Sequence, residues 1–440
     1  MPSDLIKIYI SEETMNYEEA LEYIHGIYWR GSKLGLTRTE EILRLLGNPQ
    51  KELKFIHVAG TNGKGSTCAM LESVFRKAGY NTGLYISPYI IRFNERMQYN
   101  GTPISDEELA ETTEYVSKFA ESMKDKPTEF ELVTAIGMEY FKRKKCDIVI
   151  LETGLGGELD STNIIDTPEA AVITAIDIDH IRELGGTMES VASAKAGIIK
   201  GGDVFFYGQN DKALKVFVDK CQKVNASLTC ADFSTLKVTS TAIDKTIFDF
   251  TVNGKTFSNI ELPLTGTYQI YNAALVLTVL DKLSHKFNIS EEAIKSGIAS
   301  VKWPSRFEIL CQNPTFIADG GHNPHGIKGT VDSIQKHFPN KKIIAVLGVM
   351  ADKDTSKMFE ILAPLIKSAH TVEPPNPRAM KPQELADRLS VLGINATAHN
   401  EIFDGVKAAF DEANEDDIIC ALGSFYMYAD ILDAVKKIKL

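Results

Sequence analysis

Residues 58–67, with the sequence VAGTNGKGST, restrict the fold of this 440-residue chain more than any other stretch. An apolar run at residues 55–58 leads into them, and the pattern predicts a helix from Ser66 to Ala78 after them. A strand, a Gly-rich turn and a helix in this order place backbone N–H groups and a helix N-terminus around a phosphate group. We therefore predict a nucleotide-binding loop here, in preference to an ordinary strand–helix turn.

Individual residues of this loop fit that interpretation. Lys64 is expected to meet the outer phosphates, and the hydroxyls of Ser66 and Thr67 are expected to lie near a metal ion. The loop departs from the usual P-loop spacing, because Val58 occupies the place of the first glycine and a glycine follows the lysine. Glycines that let the backbone approach a ligand closely stand at Gly60, Gly63 and Gly65.

Composition narrows the class of protein. The formal net charge of −11 argues against non-specific binding to nucleic acid or to an anionic membrane. Six scattered cysteines without a C-x-x-C pair, together with the missing signal peptide, predict free thiols in the cytoplasm. The most apolar predicted helix, at residues 271–280, is too short to span a bilayer, so no membrane association is expected.

The chain is too long for one ordinary core, and two domains are expected. In the first, apolar runs alternate with helical patterns, which predicts a doubly wound α/β sheet with ligands at the carboxyl ends of the strands. Residues 204–262 depart from this alternation, with short β-rich runs at residues 238–260. Asn253-Gly254 within them signals a hairpin, so we expect a small antiparallel appendage. The predicted elements are strands at residues 80–87, 147–151 and 171–175 and helices at residues 106–122, 131–142 and 269–283.

A domain boundary is predicted near Trp303-Pro304-Ser305, beyond which the α/β pattern restarts. We assign residues 1–302 to a P-loop-type doubly wound ATPase domain with its appendage. Residues 303–440 are assigned to a Rossmann-like α/β domain. Its predicted elements are strands at residues 315–318, 343–347 and 418–422, a helix from residue 325 and a helix at residues 355–368.

Polar groups at the ends of predicted strands are candidates for metal binding. Glu152 follows an apolar strand downstream of the phosphate loop, where a carboxylate commonly helps to hold Mg²⁺. The alternative for Glu152 is a solvated strand-end acid, which the neighbouring glycines make less attractive. For His180, which follows Asp179, a structural histidine and a ligand are equally good interpretations.

Lys195 stands late in a helix predicted to begin near Thr187. Small residues surround it, and Lys200 is better placed to be solvated, so we expect Lys195 to be partly buried. A desolvated lysine can react as an amine or take up CO₂ and become carbamylated.

Residues 319–326, with the sequence DGGHNPHG, follow a strand and open a helix in the second domain. Such a turn can be merely a tight connection. One Asp, two His and one Asn packed together favour a ligand-facing loop.

With these features the chain resembles the folylpolyglutamate synthase/dihydrofolate synthase family of ATP-dependent Mur-type ligases. The resemblance implies that ATP phosphorylates a carboxylate of a folate or pteroate. The glutamate amine then attacks the acyl phosphate, which gives an amide, ADP and phosphate. The matching stretches are His57–Thr67, Thr82–Asn94 with Glu95-Arg96, Thr128–Ala135, Asp147–Asn163, Ile173–His180, Ala194–Lys200, Tyr268–Ala274, Trp303–Glu308 and Asp319–Gly326.

The resemblance also implies roles for individual residues. It implies catalytic roles for Lys64, Lys195 and His322, with Lys195 carbamylated. The implied metal ligands are Ser87, Glu152, His180 and Lys195. The implied ATP contacts are Gly60, Thr61, Asn62, Gly63, Lys64, Gly65, Ser66, Thr67, Asn272, Arg306 and Asp319. The implied acceptor contacts are Leu34, Gly35, Leu36, Thr37, Phe130, Glu131, Leu159, Asp160 and Ser161.

We therefore predict a monomeric ligase that adds L-glutamate to reduced folates or folylpolyglutamates, with 7,8-dihydropteroate as a further candidate acceptor. ATP and two Mg²⁺ ions are expected, and K⁺ is a further candidate. A P-loop kinase or ATPase and a non-catalytic nucleotide-binding regulatory relative are the alternatives. The chain departs from the family pattern at Tyr89, Thr153, Glu158, Ala194 and Tyr268.

Overall fold

A computed structural model describes residues 15–27 and 35–439 of the chain. Within them the first domain contains one large sheet, whose strands are β1 (Phe55–Ala59), β2 (Thr82–Tyr85), β3 (Met97–Tyr99), β4 (Thr102–Pro103), β5 (Ile148–Glu152), β6 (Ala170–Ile173), β7 (Asp203–Phe206) and β8 (Ser227–Cys230). The strand order is β4-β3-β2-β5-β1-β6-β7-β8. The strands from β2 to β8 in this order are parallel, and β3 and β4 form an antiparallel edge. The predicted doubly wound α/β sheet is confirmed.

Helices cover both faces of this sheet. They are α1 (Tyr17–Gly26), α2 (Thr37–Leu45), α3 (Lys64–Lys77), α4 (Asp106–Ser122), α5 (Glu129–Arg143), α6 (Ile181–Leu184), α7 (Met188–Ala196), α8 (Asp211–Val224), α9 (Gln269–Leu283) and α10 (Glu291–Ala299). One face of the sheet, which carries Ile56 and Val58, packs against α3, α9 and α10. The other face, which carries Phe55, packs against α2, α4 and α5. Because both faces are covered, β1 and β5 are buried at every position.

The antiparallel appendage is smaller than the sequence predicted. Residues 203–230 form β7, α8 and β8, which extend the main sheet. The appendage consists of β9 (Lys237–Thr241), β10 (Thr246–Val252) and β11 (Lys255–Leu262). Its hairpin turns at Asn253-Gly254, as predicted, and both residues have positive φ.

The second domain has its own sheet. Its strands are β12 (Glu308–Cys311), β13 (Thr315–Ala318), β14 (Ile343–Leu347), β15 (Ile366–Thr371), β16 (Ala396–Ala398) and β17 (Ile418–Leu422), in the order β12-β13-β17-β14-β15-β16. Only β12 is antiparallel to its neighbour among these described strands. The helices are α11 (Pro324–His337), α12 (Thr355–Leu362), α13 (Pro382–Val391), α14 (Ile402–Glu412) and α15 (Tyr428–Lys439).

One element prediction in this domain is wrong. The helix predicted at residues 355–368 ends at Leu362, and the chain continues into strand β15. Pro364 explains the break, because its ring prevents the helix from continuing through that turn. The predicted boundary between residues 302 and 303 falls between α10 and β12.

Within the described ranges, no helix is both long enough and apolar enough to cross a bilayer.

Candidate active site

A cavity of about 1000 Å³ lies where the carboxyl ends of both sheets' parallel strands face each other. Residues from both domains line it, as expected for the ligand site of open α/β sheets. The phosphate loop contributes Gly60–Ser66, and the second domain contributes Arg306 and residues 319–322. The cavity therefore brings together stretches that are at least 240 residues apart in the chain.

The phosphate loop follows β1 and runs directly into α3. The helix begins at Lys64, two residues before the predicted start, with Gly63 as its N-cap. A Cβ on Gly60 would lie 1.8 Å from Oγ1 of Thr174, and one on Gly65 would lie 2.5 Å from the Trp303 ring. Only glycine fits at these two positions, so the loop is shaped by close packing against its surroundings.

The side chains of the loop differ in their partners. Nζ of Lys64 donates to the carbonyl oxygens of Gly60 and Thr61, at 3.2 and 3.3 Å. Oγ of Ser66 accepts from Nε2 of Gln269 at 3.1 Å. Thr67 is fully buried and does not line the cavity. Asn272, another predicted ATP contact, lies against Gly63 and lines the cavity.

The predicted metal ligands Ser87, Glu152 and His180 all line this cavity. Glu152 ends β5 and is 5% exposed, and burial raises the pKa of its carboxyl to about 7. Its Oε2 accepts a hydrogen bond from Ser87 N at 3.3 Å. In the described ranges no cluster of three or more His, Cys, Asp or Glu forms a metal site by itself.

A carboxylate, a hydroxyl and an imidazole at one wall of the cavity make an oxygen-rich set, which suits Mg²⁺. Glu152 is buried, and no basic side chain of the described ranges makes a hydrogen bond to it, so a cation beside it would offset the cost of its negative charge. The donor set therefore fits the predicted metal.

Lys195 is more deeply buried than the sequence predicted, with 4% of its surface exposed. It lies on α7, whose N-cap is Thr187, and Nζ donates to the carbonyl oxygen of Gly60 at 2.7 Å. Burial, with a further contribution from Lys64, lowers the pKa of its amine to about 7. A substantial fraction of this amine is therefore uncharged near neutral pH.

The predicted acceptor residues divide into two groups. Phe130, Leu159, Asp160 and Ser161 line the cavity. Glu131 does not, because Arg38 and Thr128 occupy its carboxylate. Positions that also lie away from the lining are Gly35, Leu36 and Thr37, and Leu34 lies outside the described residues.

Arg96 is a cavity-lining residue to which sequence reasoning gave no role. Its Nε and Nη1 atoms are buried and have no hydrogen-bond partner among the described residues. The guanidinium lies over the rings of Tyr89 and Phe93, 5.6 and 5.5 Å from their centroids. A buried donor without a partner is costly, so this side chain is suited to an acceptor atom of a ligand.

The second-domain loop after β13 places Asp319 and His322 at the cavity. Oδ1 of Asp319 accepts from Gly321 N and Thr330, and Oδ2 accepts from Phe307 N and the Tyr268 hydroxyl. These four donors occupy the carboxylate, so Asp319 organises the loop as well as lining the cavity.

His322 has a defined tautomer. Its Nδ1 lies 2.8 Å from the carbonyl oxygen of Gly320, and a carbonyl can only accept. Burial lowers the pKa of the imidazole to about 4, so the ring is neutral near pH 7. Nδ1 therefore carries the proton, and Nε2 is left with a lone pair.

Direct hydrogen bonds join the two domains across the cavity. Asn62 of the phosphate loop exchanges hydrogen bonds with Asn323, at 3.1 and 3.2 Å, and also contacts His325. Asn323 donates to Asp179 at 2.9 Å, and Lys353 donates to the same carboxylate at 2.8 Å. Sequence analysis missed Lys353, although it follows apolar strand β14 in a charged segment, which is a usable signal.

Comparison with known proteins places this architecture in a class. Residues 58–280 match the Mur ligase middle domain, and residues 305–425 match the Mur ligase glutamate ligase domain. The chain is thus a Mur-type ligase in fold and domain order. It is 35% identical over 429 residues to a dihydrofolate synthase/folylpolyglutamate synthase of Bacillus subtilis, which covers 96% of this chain and 99% of the relative. The chain belongs to the folylpolyglutamate synthase/dihydrofolate synthase family.

Solved structures of relatives agree. A structure of Escherichia coli FolC in complex with DHPP and ADP superposes with a TM-score of 0.87 at 29% identity, covering 97% of this chain and 99% of that one. A Mycobacterium tuberculosis folylpolyglutamate synthase, complexed with ADP and AMPPCP, has a TM-score of 0.86 at 26% identity, with coverage of 96% and 99%. The match therefore spans both domains.

Proposed function

We propose that this protein is an ATP-dependent ligase that joins L-glutamate to a reduced folate or folylpolyglutamate, and also to 7,8-dihydropteroate. The observation that carries the proposal is the hydrogen-bonded contact between Asn62 of the phosphate loop and Asn323 beside His322. A nucleotide at the first domain and an amine at the second would meet in one shared cavity. That arrangement serves a reaction in which phosphoryl transfer and amide formation share an intermediate.

The first step is transfer of the γ-phosphoryl group of ATP to a carboxylate of the acceptor. Residues Gly60–Ser66 and Asn272 would hold the nucleotide, with backbone N–H groups and the start of α3 toward its phosphates. Among the described residues Nζ of Lys64 donates only to carbonyl oxygens, so its charge is available to the outer phosphates. Stabilising the transferring phosphoryl group is the principal demand on the protein in this step.

Mg²⁺ would be held by Ser87, Glu152 and His180. When bound, it would neutralise charge on the phosphate oxygens. Lys195 is proposed to be carbamylated and to provide a carboxylate for a second Mg²⁺, and K⁺ is a further candidate ion. The partly uncharged amine of Lys195 supports this, because only a neutral amine adds CO₂.

The acceptor would lie along the first-domain wall beside Phe130, Leu159 and Ser161. The aromatic ring of Phe130 offers a stacking surface for a pteridine, since flat heterocycles stack favourably on such rings. Arg96 would donate to a polar atom of the acceptor, which would satisfy its buried nitrogens.

The second step is attack of the glutamate amine on the acyl phosphate. The amine must lose a proton, and Nε2 of neutral His322 is proposed to accept it. The amide bond forms as the carbon–oxygen bond to phosphate breaks, and phosphate leaves with one oxygen of the original carboxylate. Arg306, whose Nη1 donates to the Ser305 carbonyl oxygen, is proposed to contact ATP.

Closure of the second domain over the cavity would also exclude water from the acyl phosphate. Asn62, Asn323, Asp179 and Lys353 form the hydrogen-bonded contact that holds the domains together at this point. All six cysteines are free, which is typical of a reducing compartment, so we propose a cytoplasmic enzyme that acts as a monomer.

The test is coupled ADP release with Mg²⁺-ATP, each acceptor in turn and L-glutamate. ADP formation that requires all three substrates and yields an amide supports the proposal. Turnover on reduced folates alone would restrict it to chain extension. ADP release without glutamate, or phosphorylation of another substrate, would indicate an ATPase or kinase instead.

Carbamylation has a separate test. Loss of activity in Lys195→Ala, with recovery on adding short carboxylic acids, supports a carboxylate at that place. Unchanged activity in Lys195→Ala would overturn this role.

A further inference from the structure

His57 is a fully buried imidazole at the centre of β1, and the reaction proposed above does not use it. It precedes the phosphate loop by only a few residues in the same strand. Burial, with a smaller effect of Lys200, lowers the pKa of its ring to about 3, so it is neutral. Its position raises the question of what a polar ring contributes to an otherwise apolar strand.

The ring begins a chain of hydrogen bonds that ends at the cavity. Its Nε2 lies 2.9 Å from Oγ1 of Thr162, and Thr162 donates to Oδ1 of Asp160 at 2.5 Å. Asp160 is 5% exposed and lines the cavity. The chain thus joins the strand that carries the phosphate loop to the acceptor wall.

The direction of this chain follows from its members. A threonine hydroxyl has one proton, and Thr162 gives it to a carboxylate. Its oxygen must therefore accept from His57, which places the imidazole proton on Nε2. The structure agrees, because Nδ1 of His57 has no hydrogen-bond partner among the described residues.

Asp160 in turn determines the backbone of the segment after β5. Oδ2 accepts from the N–H groups of Gly154 and Leu155, at 2.9 and 2.7 Å, and Oδ1 also accepts from Thr162 N at 3.0 Å. These bonds fix the segment 154–162, which we call the acceptor loop. All four hydrogen-bond positions of the carboxylate are filled, so its role is to hold the loop.

We propose that His57 is a positioning residue for the acceptor, acting through Thr162 and Asp160 to fix the acceptor loop. This rests on the proposed function, because the loop is the wall along which the acceptor would lie. A histidine that merely fills the core would need no donor at Nε2 and would leave substrate affinities unchanged when replaced by an apolar side chain.

The first test compares His57→Leu, His57→Gln and Thr162→Val in the full-length enzyme. We expect His57→Leu, which removes one neutral hydrogen bond, to raise the acceptor KM about tenfold while the ATP KM changes less than twofold. Thr162→Val also removes the hydroxyl that donates to Asp160, so it should raise the acceptor KM at least as much. His57→Gln restores the acceptor KM, because its amide nitrogen replaces Nε2–H. The double variant should be no worse than Thr162→Val alone, because that substitution already removes the partner of His57.

Ile56→Val is the matched control, since Ile56 is equally buried but belongs to the opposite face of β1. It should lower the thermal midpoint without changing the acceptor KM. Equal acceptor KM values in wild type and His57→Leu would overturn the inference. Absence of wild-type turnover on every pterin acceptor would instead overturn the proposed function.

A second measurement does not depend on activity. Nitrogen-15 NMR of imidazole-labelled protein should show His57 as the neutral Nε2–H tautomer from pH 6 to 8. An Nδ1–H tautomer, or titration within that range, would contradict the hydrogen-bond chain even if a variant failed to fold.

Discussion

The cavity-lining cations of the two domains differ in whether they are paired with a carboxylate. On the first-domain side, among the described residues, Lys64 donates only to backbone carbonyls and two nitrogens of Arg96 have no partner. The amine of Lys195, which is partly uncharged near pH 7, also donates to a carbonyl. On the second-domain side, three cations each pair with a carboxylate, at distances of 2.8, 2.8 and 3.5 Å: Lys328 with Asp332, Lys353 with Asp179 and Arg378 with Asp352. Arg306 is the exception, since it bonds a carbonyl.

This difference indicates that the cations of the two domains have different roles. A buried cation without a counter-charge is costly, and the cost is repaid when an anion binds. The first domain therefore offers unpaired positive charge, at Lys64 and Arg96, to the phosphate and carboxylate groups of the proposed reaction. Three of the four second-domain cations named here pair with a carboxylate, and one of these pairs, Lys353–Asp179, joins the two domains.

The largest effect is expected from removing an unpaired cation. Lys64→Met should lower kcat about a thousandfold with the fold retained, because Lys64 would stabilise the transferring phosphoryl group. ADP release at saturating substrates measures this, and Lys407→Met, an exposed second-domain change, is the control. If Lys64→Met retained more than a tenth of wild-type activity, the claim that the unpaired first-domain cation serves phosphoryl transfer would be wrong.

Glu152→Gln should lower kcat about a hundredfold at high Mg²⁺ and raise the Mg²⁺ concentration required, because a carboxylate ligand becomes a neutral amide. Titration of activity against free Mg²⁺ checks both effects. An unchanged Mg²⁺ requirement would remove Glu152 from the metal site.

The unpaired state of Lys195 predicts a pH-dependent stability. Its pKa is lowered from 10.5 to about 7, so between these values the unfolded chain holds a proton that the folded chain lacks. Stability therefore rises with pH in this range, and from pH 7 to 9 the wild type should gain about 2 kcal/mol more than Lys195→Met. Urea unfolding in CO₂-free buffer measures this, and equal pH slopes would contradict it.

Paired groups should matter less. Asn323→Ala should lower kcat/KM for glutamate about tenfold, because the hydrogen bonds of Asn323 with Asn62 and with Asp179 are lost and domain closure weakens. The nucleotide affinity, measured by titration with ADP, should change little. A loss confined to ATP binding would assign Asn323 to the nucleotide instead.

The smallest effect is expected from Lys328→Met. This exposed lysine pairs with Asp332 one turn away on α11, and such surface pairs contribute about 0.3–0.5 kcal/mol. Activity should change less than threefold. A loss comparable to that in Lys64→Met would remove the distinction between the two sides.

Sequence reasoning reached the elements that a local pattern encodes. Strands β13, β14 and β17 and helix α9 have their predicted bounds, because apolar runs and helical spacing are local signals. Strand β15 was missed, since its residues, IKSAHT, carry no clear alternation of apolar and polar side chains.

The site was predictable in its parts and not in its assembly. The phosphate loop and Glu152 were identified from glycine spacing and from the end of an apolar run. The contact of Asn62 with Asn323 and the bond from Tyr268 to Asp319 depend on how the domains meet, which no local pattern encodes. Glu131 lies in a stretch that matches the family, but its carboxylate pairs with Arg38, which is 93 residues away in the chain. No local pattern predicts such a pairing.

The most direct test of the account is the fate of the acceptor's carboxylate oxygen. The acceptor is prepared with ¹⁸O in the reacting carboxylate and turned over with Mg²⁺-ATP and L-glutamate. An acyl phosphate intermediate predicts one ¹⁸O in the released phosphate for each amide formed. Unlabelled phosphate accompanying the same amide would contradict the proposed chemistry.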